Sequence, residues 1–169
     1  MTALNIVPEC YVDTKLAEIL SENKIKIYHQ KGHGNVANKM QFGLKDQFAL
    51  GIIDEDTIKV RKAKYFTAFK VIKIENALIL QKHNKLNHYL IIIKPAIEKW
   101  LLANAKESEV VPNNLGNQLE DLMNFTKKKN IHKNPDFYIF IKELIRKKSP
   151  GIITFKLWIE KFLARQDIN

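Results

Sequence analysis

The sequence predicts an α/β fold, an open and largely parallel sheet flanked by helices, with a C-terminal helical extension. Three observations carry that expectation. Strand-like runs alternate with helix-like stretches from residue 4 to residue 105, the pattern of strand–helix–strand units. The run from Phe48 to Ile53 is apolar almost throughout, as suits a strand covered on both faces. After Glu107 strand-like runs cease and helical periodicity takes over. The chain accordingly divides into an α/β domain over 1–108 and a helical extension over 109–169.

The elements follow in order. Leu4 to Val7 reads as a first strand, with Pro8 and Glu9 at its end. Asp13-Thr14 opens a helical pattern in which Leu16, Ile19 and Leu20 share a face, ending near Asn23 or Lys24. Ile25 to Tyr28 alternates as a second strand. The turn Gln30 to Asn35 carries two glycines, and a helix is expected from Val36 to Met40. Phe48 to Ile53 is the third strand, and Asp54 to Lys64 a basic loop or short helix. Phe66 to Ile74 gives no clear period, whereas Ala77–Gln81 and Tyr89–Ile93 read as strands. Pro95 starts a helix over Ala96–Ala105. In the extension, helices are expected over Gln118–Lys129, Pro135–Lys147 and Thr154–Ala164, with Ser149-Pro150-Gly151 separating the last two. Trp100 and Trp158 fall on amphipathic stretches, as core or interface residues.

Composition narrows the function classes. Apolar residues make up 46% of the 169, too many for a disordered chain. Lys and Arg number 28 against 18 Asp and Glu, a net charge of +10, which favours a polyanionic partner such as nucleic acid. The single cysteine, Cys10, excludes an internal disulfide and a cysteine zinc cluster and suits a reducing cytoplasm. No secretory leader is expected, and no apolar run approaches the roughly 20 residues of a membrane helix. Walker, H-E-x-x-H and G-x-S-x-G motifs do not occur.

Ligands of open α/β sheets bind at the carboxyl ends of the parallel strands. Three features fall there: Glu9 after the first strand, the glycine turn after the second, and Asp54-Glu55-Asp56 after the third. At a strand end, residues two apart point the same way, so Asp54 and Asp56 are expected to face one ion while Glu55 turns away. Hard carboxylate oxygens suit Mg²⁺ or Mn²⁺. Asp13 or Thr14 caps the following helix on one reading, and on the other Glu9 hangs over the strand end as a ligand or proton-transfer group. Lys31, Gly32, His33 and Gly34 could bring backbone N–H groups and positive charge to a phosphate.

This arrangement resembles the Toprim domain of topoisomerases, primases and certain nucleases, which carries a glutamate after its first strand and a D-x-D after its third. Glu9-Cys10-Tyr11-Val12-Asp13 and Asp54-Glu55-Asp56 stand in those places, with Cys10 where the family usually has glycine. Lys31 to Asn35 and Pro95 to Leu102 also look like stretches of small stand-alone Toprim proteins of phage defence and of the Toprim half of overcoming-lysogenisation-defect nucleases. The resemblance covers about residues 4 to 105 and leaves the C-terminal helices unaccounted for. It implies magnesium-dependent (or manganese-dependent) phosphoryl transfer on nucleic acid, DNA before RNA. Glu9, Asp54 and Asp56 would be the catalytic acids and, with Glu98 and Asp13, the metal ligands. Lys59, Arg61, Lys62 and Lys64 would hold the nucleic-acid backbone, and Lys127 to Lys129 and Arg146 to Lys148 could extend that surface. An ATPase half, where one is needed, would come from a separate protein. Two other readings stay open: a nucleic-acid-binding or regulatory protein of the same fold without turnover, and a flavodoxin-like or receiver-like domain with Lys94 as the lysine that a receiver needs after a later strand.

Overall fold

The computed structural model describes residues 4–112, 115, 121, 122, 124, 130–165 and 168. Its elements are β1 (Leu4–Pro8), α1 (Tyr11–Leu20), β2 (Lys26–Ile27), α2 (His33–Asn38), β3 (Phe48–Asp54), α3 (Glu55–Val60), β4 (Phe69–Glu75), β5 (Leu78–His83), β6 (His88–Ile93), α4 (Ile97–Glu107), α5 (Pro135–Arg146) and α6 (Pro150–Leu163). Six strands form one open sheet in the order β2-β1-β3-β6-β5-β4. The first four in that order run parallel, and β5 is antiparallel to both β6 and β4. The expected α/β fold with a mostly parallel sheet and a C-terminal helical part is therefore the fold observed.

Strands β1, β3 and β6 sit in the middle and are buried on both faces, which is why their sequences are continuous apolar runs. One face carries α1, α4, α5 and α6 over a core that includes Leu16, Leu50, Trp100, Phe155 and Trp158. The other carries α2, a π-helical turn over Lys39–Gly43 and a 3-10 turn over Lys64–Ala68, packed through Val36, Met40, Phe66 and Leu90. Gly51 in β3 permits that packing, since a Cβ there would lie 2.8 Å from Met40 Sδ and 2.9 Å from Leu90 Cδ1. The C-terminal helices thus share one core with the sheet. A buried polar latch fixes them: Asn104 Oδ1 accepts from Ser149 Oγ at 2.7 Å and from the Gly151 N–H at 2.9 Å. Trp100 Nε1 donates to the Asn76 carbonyl at 3.0 Å, tying α4 to the β4–β5 turn.

Several expected boundaries shift, each for a local reason. Helix α1 starts at Tyr11 because Cys10 is its N-cap: Cys10 Sγ accepts from the Asp13 N–H at 3.4 Å. Asp13 and Thr14 lie inside the helix, so neither is the cap. β2 shrinks to two residues, and α2 begins at His33 rather than at Val36. Pro95, which follows a cis peptide bond, stands two residues ahead of α4 instead of opening it. Phe69 to Glu75, a stretch without a clear period, is edge strand β4, interrupted by a register shift at Ile72. Ser149-Pro150-Gly151 does not separate α5 from α6 as a whole: Pro150 and Gly151 are the first turn of α6. The helix expected over Gln118–Lys129 falls almost wholly outside the described residues, as do Lys127, Lys128 and Lys129.

Candidate metal centre at the strand ends

β1 and β3 are direct neighbours, in register from Leu4 opposite Phe48 to Pro8 opposite Ile52. Their ends therefore place Glu9 beside Asp54. Glu9 Oε2 accepts from the Asp54 N–H at 3.0 Å and from Thr57 Oγ1 at 3.1 Å. The Glu9 N–H donates to the Ile52 carbonyl at 3.0 Å, which extends the β1–β3 ladder by one residue and fixes the side chain over the sheet end. β2 brings the glycine turn alongside, and the Gly32 N–H reaches the Glu9 carbonyl at 3.3 Å. Gly32 has φ +85° and ψ 152°, a conformation glycine takes without strain. Cys10 is extended at φ −138° and ψ 174°, so nothing in its backbone calls for glycine.

Two further acids complete the group. Asp13 is only 1% exposed, and neither of its carboxylate oxygens has a hydrogen-bond partner. The adjacent Cys10 thiol, a weak donor, opposes the effect of burial on Asp13 more than Glu9 or Glu98 singly adds to it. Glu98 enters from the first turn of α4 and acts electrostatically on both Asp13 and Asp54. Asp54 Oδ1 accepts the Ile97 N–H at 3.0 Å, the first amide of α4.

The electrostatics follow from burial and like charge. Burial raises the Asp13 carboxyl to about 8, and Glu9 and Glu98 add to the rise. Burial raises Asp54 to about 10, reinforced by Asp13, Glu98 and Glu9 and opposed by the Ile97 amide. Glu9 is also raised by burial, although the Asp54 N–H and Thr57 hydroxyl pull it back. Burial, and then Asp13, pushes the Cys10 thiol up. Glu9, Asp13 and Asp54 are thus each raised by burial with no lysine or arginine among the causes, and the positive charge that pulls the other way is that of His33 on Glu9.

Asp56 stands apart from this group. The chain turns helical at Glu55, so Asp54 ends a strand while Asp56 lies in the first turn of α3, and the strand rule that would aim both at one ion does not apply. Its side chain is 47% exposed and lies 3.8 Å from Lys59 Nζ. Lys59 also pairs with Glu55 at 3.2 Å, within the same helix. Lys94 Nζ lies 3.8 Å from Glu55 Oε1, whereas a receiver-like role would direct it to the phosphoacceptor. Lys31, Arg61, Lys62 and Lys64 are exposed. His33 Nε2 lies 2.6 Å from the Arg61 carbonyl, clasping the glycine turn to the segment after α3. Gly34 is inside α2. Thr57 belongs to no motif and is the supporting residue that sequence reasoning missed; its one signal is a hydroxyl placed a turn beyond an acid at a strand end.

The fit to a divalent ion rests on the donor set. Hard oxygens of one sign, including a buried carboxylate with no partner, are what Mg²⁺ or Mn²⁺ takes. Among the described residues, no three acid, histidine or cysteine side chains are already arranged to hold a metal ion; Glu9 and Asp54 each commit one oxygen to a backbone N–H. No protein-family model, curated protein or solved structure matches the chain. Among the described residues no helix is long and apolar enough to cross a membrane.

Proposed function

We propose that this protein is a Toprim-like, divalent-metal-dependent phosphodiesterase acting on nucleic acid in a reducing, cytoplasmic setting. The observation that carries the reading is Asp13, a buried carboxylate in an acid group drawn from β1, α1, β3 and α4, supported by Cys10, a weak thiol donor, with no strong hydrogen-bond partner on either oxygen. Burying such a group without a partner costs several kcal/mol, roughly, unless it is protonated or bound to a cation. Glu9, Asp13, Asp54 and Glu98 would hold the ion. When bound, a divalent ion there supplies Lewis-acid stabilisation of the charge that builds on a phosphate under attack.

The chain's own residues do the remainder. Thr57 and the Asp54 N–H fix Oε2 of Glu9, the His33 backbone adds support, and the carboxyl is held in place to bind an ion or move a proton. The basic segment Arg61, Lys62 and Lys64, held to the glycine turn through His33, gives a polyanion a place to lie beside the acids. DNA is the favoured substrate within this reading, and a separate ATPase is a compatible partner.

The test is a melting curve with and without Mg²⁺ or Mn²⁺, paired with cleavage of plasmid and oligonucleotide substrates. Asp54→Asn keeps an acceptor for the Ile97 N–H and removes the charge. The wild type should gain stability with the ion and cleave, and the variant should do neither. An equal response to the ion in both would remove the metal site. The second reading, a nucleic-acid-binding protein without turnover, is favoured by the separation of Asp56 from the other acids. Salt-sensitive binding with no cleavage under any divalent ion would select it.

A further inference from the structure

We infer that β4 is a docking edge for a second copy of this chain, joined antiparallel about a two-fold axis so that the two sheets become one. The inference is independent of the metal reading. β4 closes the sheet order, and among the described residues it pairs only with β5. It is seven residues long and leaves Val71 at 53%, Ile72 at 37% and Ile74 at 65% exposure. A long open edge with apolar side chains invites pairing, and proteins that stay monomeric guard against it with charge or shape. Two such guards stand on β4, the lysines Lys70 and Lys73 and the bulge at Ile72, so the edge accepts only a partner whose charges and bulge match its own.

The register identifies the occupant. Lys70, Lys73 and Glu75 lie opposite Lys82, Leu80 and Leu78 on one face, while Val71 and Ile74 lie opposite Gln81 and Ile79 on the other. In an unbroken strand, residues three apart would point to opposite faces. The register shift at Ile72 inserts the extra residue that puts Val71 and Ile74 on the same face. With the axis between Ile72 and Lys73, Val71 of each copy meets Ile74 of the other. Lys70 of each copy then meets Glu75 of the other, on the opposite face, where Glu75 also pairs with Lys73 of its own strand at 3.0 Å. Every contact occurs twice, the mark of an isologous interface. Opposite charges and paired apolar side chains directly across an antiparallel pair are both favourable.

Sedimentation velocity and light scattering on the full chain, over a wide concentration range, test this. The wild type should dimerise reversibly. Lys70→Glu sets Glu against Glu twice across the axis and should raise the dimer dissociation constant about tenfold or more. The double exchange Lys70→Glu with Glu75→Lys should restore it. Ile74→Lys, at an exposed position, should also yield monomer with an unchanged melting curve at low concentration. A wild type that stays monomeric throughout overturns the inference. So does a dimer indifferent to Lys70→Glu, or an open-ended polymer, which a two-fold edge cannot form.

Discussion

Replacing Asp13 by asparagine measures how far the acid group lacks positive charge. In the folded protein, burial and the neighbouring Glu9 and Glu98 raise the Asp13 carboxyl to about 8, against 3.8 for the ordinary group. The folded chain therefore holds this proton more tightly than the unfolded chain does. The resulting contribution is fully present below the unfolded value and is lost as the pH climbs through 3.8 towards about 8. Each unit in that window removes about 1.4 kcal/mol, so on going from about pH 5 to about pH 8 the wild type should lose on the order of 3–4 kcal/mol through this group. Asparagine is neutral throughout and has nothing to lose there. Urea unfolding in chelator, run on both proteins across that window, gives the comparison. Near pH 5 the two should be of similar stability, and near pH 8 the variant should be the more stable by about 3 kcal/mol. Mg²⁺ or Mn²⁺ added at the upper pH should then raise the wild type and leave the variant nearly unmoved. A wild-type-to-variant difference that is the same at both ends of the range would refute the reasoning, because the buried carboxylate would then carry no unbalanced charge.

Other substitutions probe the supports. Gly32→Ala forces a side chain into φ +85° and should cost about 1–3 kcal/mol in thermal unfolding while loosening the turn beside Glu9. Asn104→Ala leaves Ser149 Oγ and the Gly151 N–H without their acceptor, an expected loss of about 1–3 kcal/mol by urea unfolding. Thr57→Val takes a hydroxyl from Glu9 Oε2, so the Glu9 carboxyl should titrate still higher, read by NMR of the side-chain carboxyl. Neutralising Arg61, Lys62 and Lys64 together should flatten the dependence of log affinity for duplex DNA on log salt by about 0.9 for each phosphate that the variant no longer neutralises.

The central strands were legible because burial on both faces leaves an unmistakable signature: Phe48 to Ile53 and Tyr89 to Ile93 are apolar with no alternation. Edge strand β4 was not, since Lys70, Val71, Ile72 and Lys73 face solvent or a register shift and keep no period of two. Glu9 and Asp54 were found by position, at the ends of strands that turn out to be adjacent. The relation between Asp54 and Asp56 could not be read locally. It depends on where the strand gives way to helix, and the Asp56 N–H bond to the Pro95 carbonyl at 2.9 Å, a distant contact, helps set that point. By pattern either Asp13 or Thr14 caps α1, but the cap is Cys10, and the Asp13 carboxylate is buried instead.

The bond from Asp54 Oδ1 to the Ile97 amide links two parts of the molecule that are far apart in the chain. The side chain at the mouth of the sheet also anchors the start of the helix on which Trp100 and Asn104 sit, and through Asn104 it underpins the seat of the last helix. Truncating position 54 to alanine would therefore slacken the back of the protein as well as strip its front. An isosteric exchange is the instrument that keeps those two effects apart.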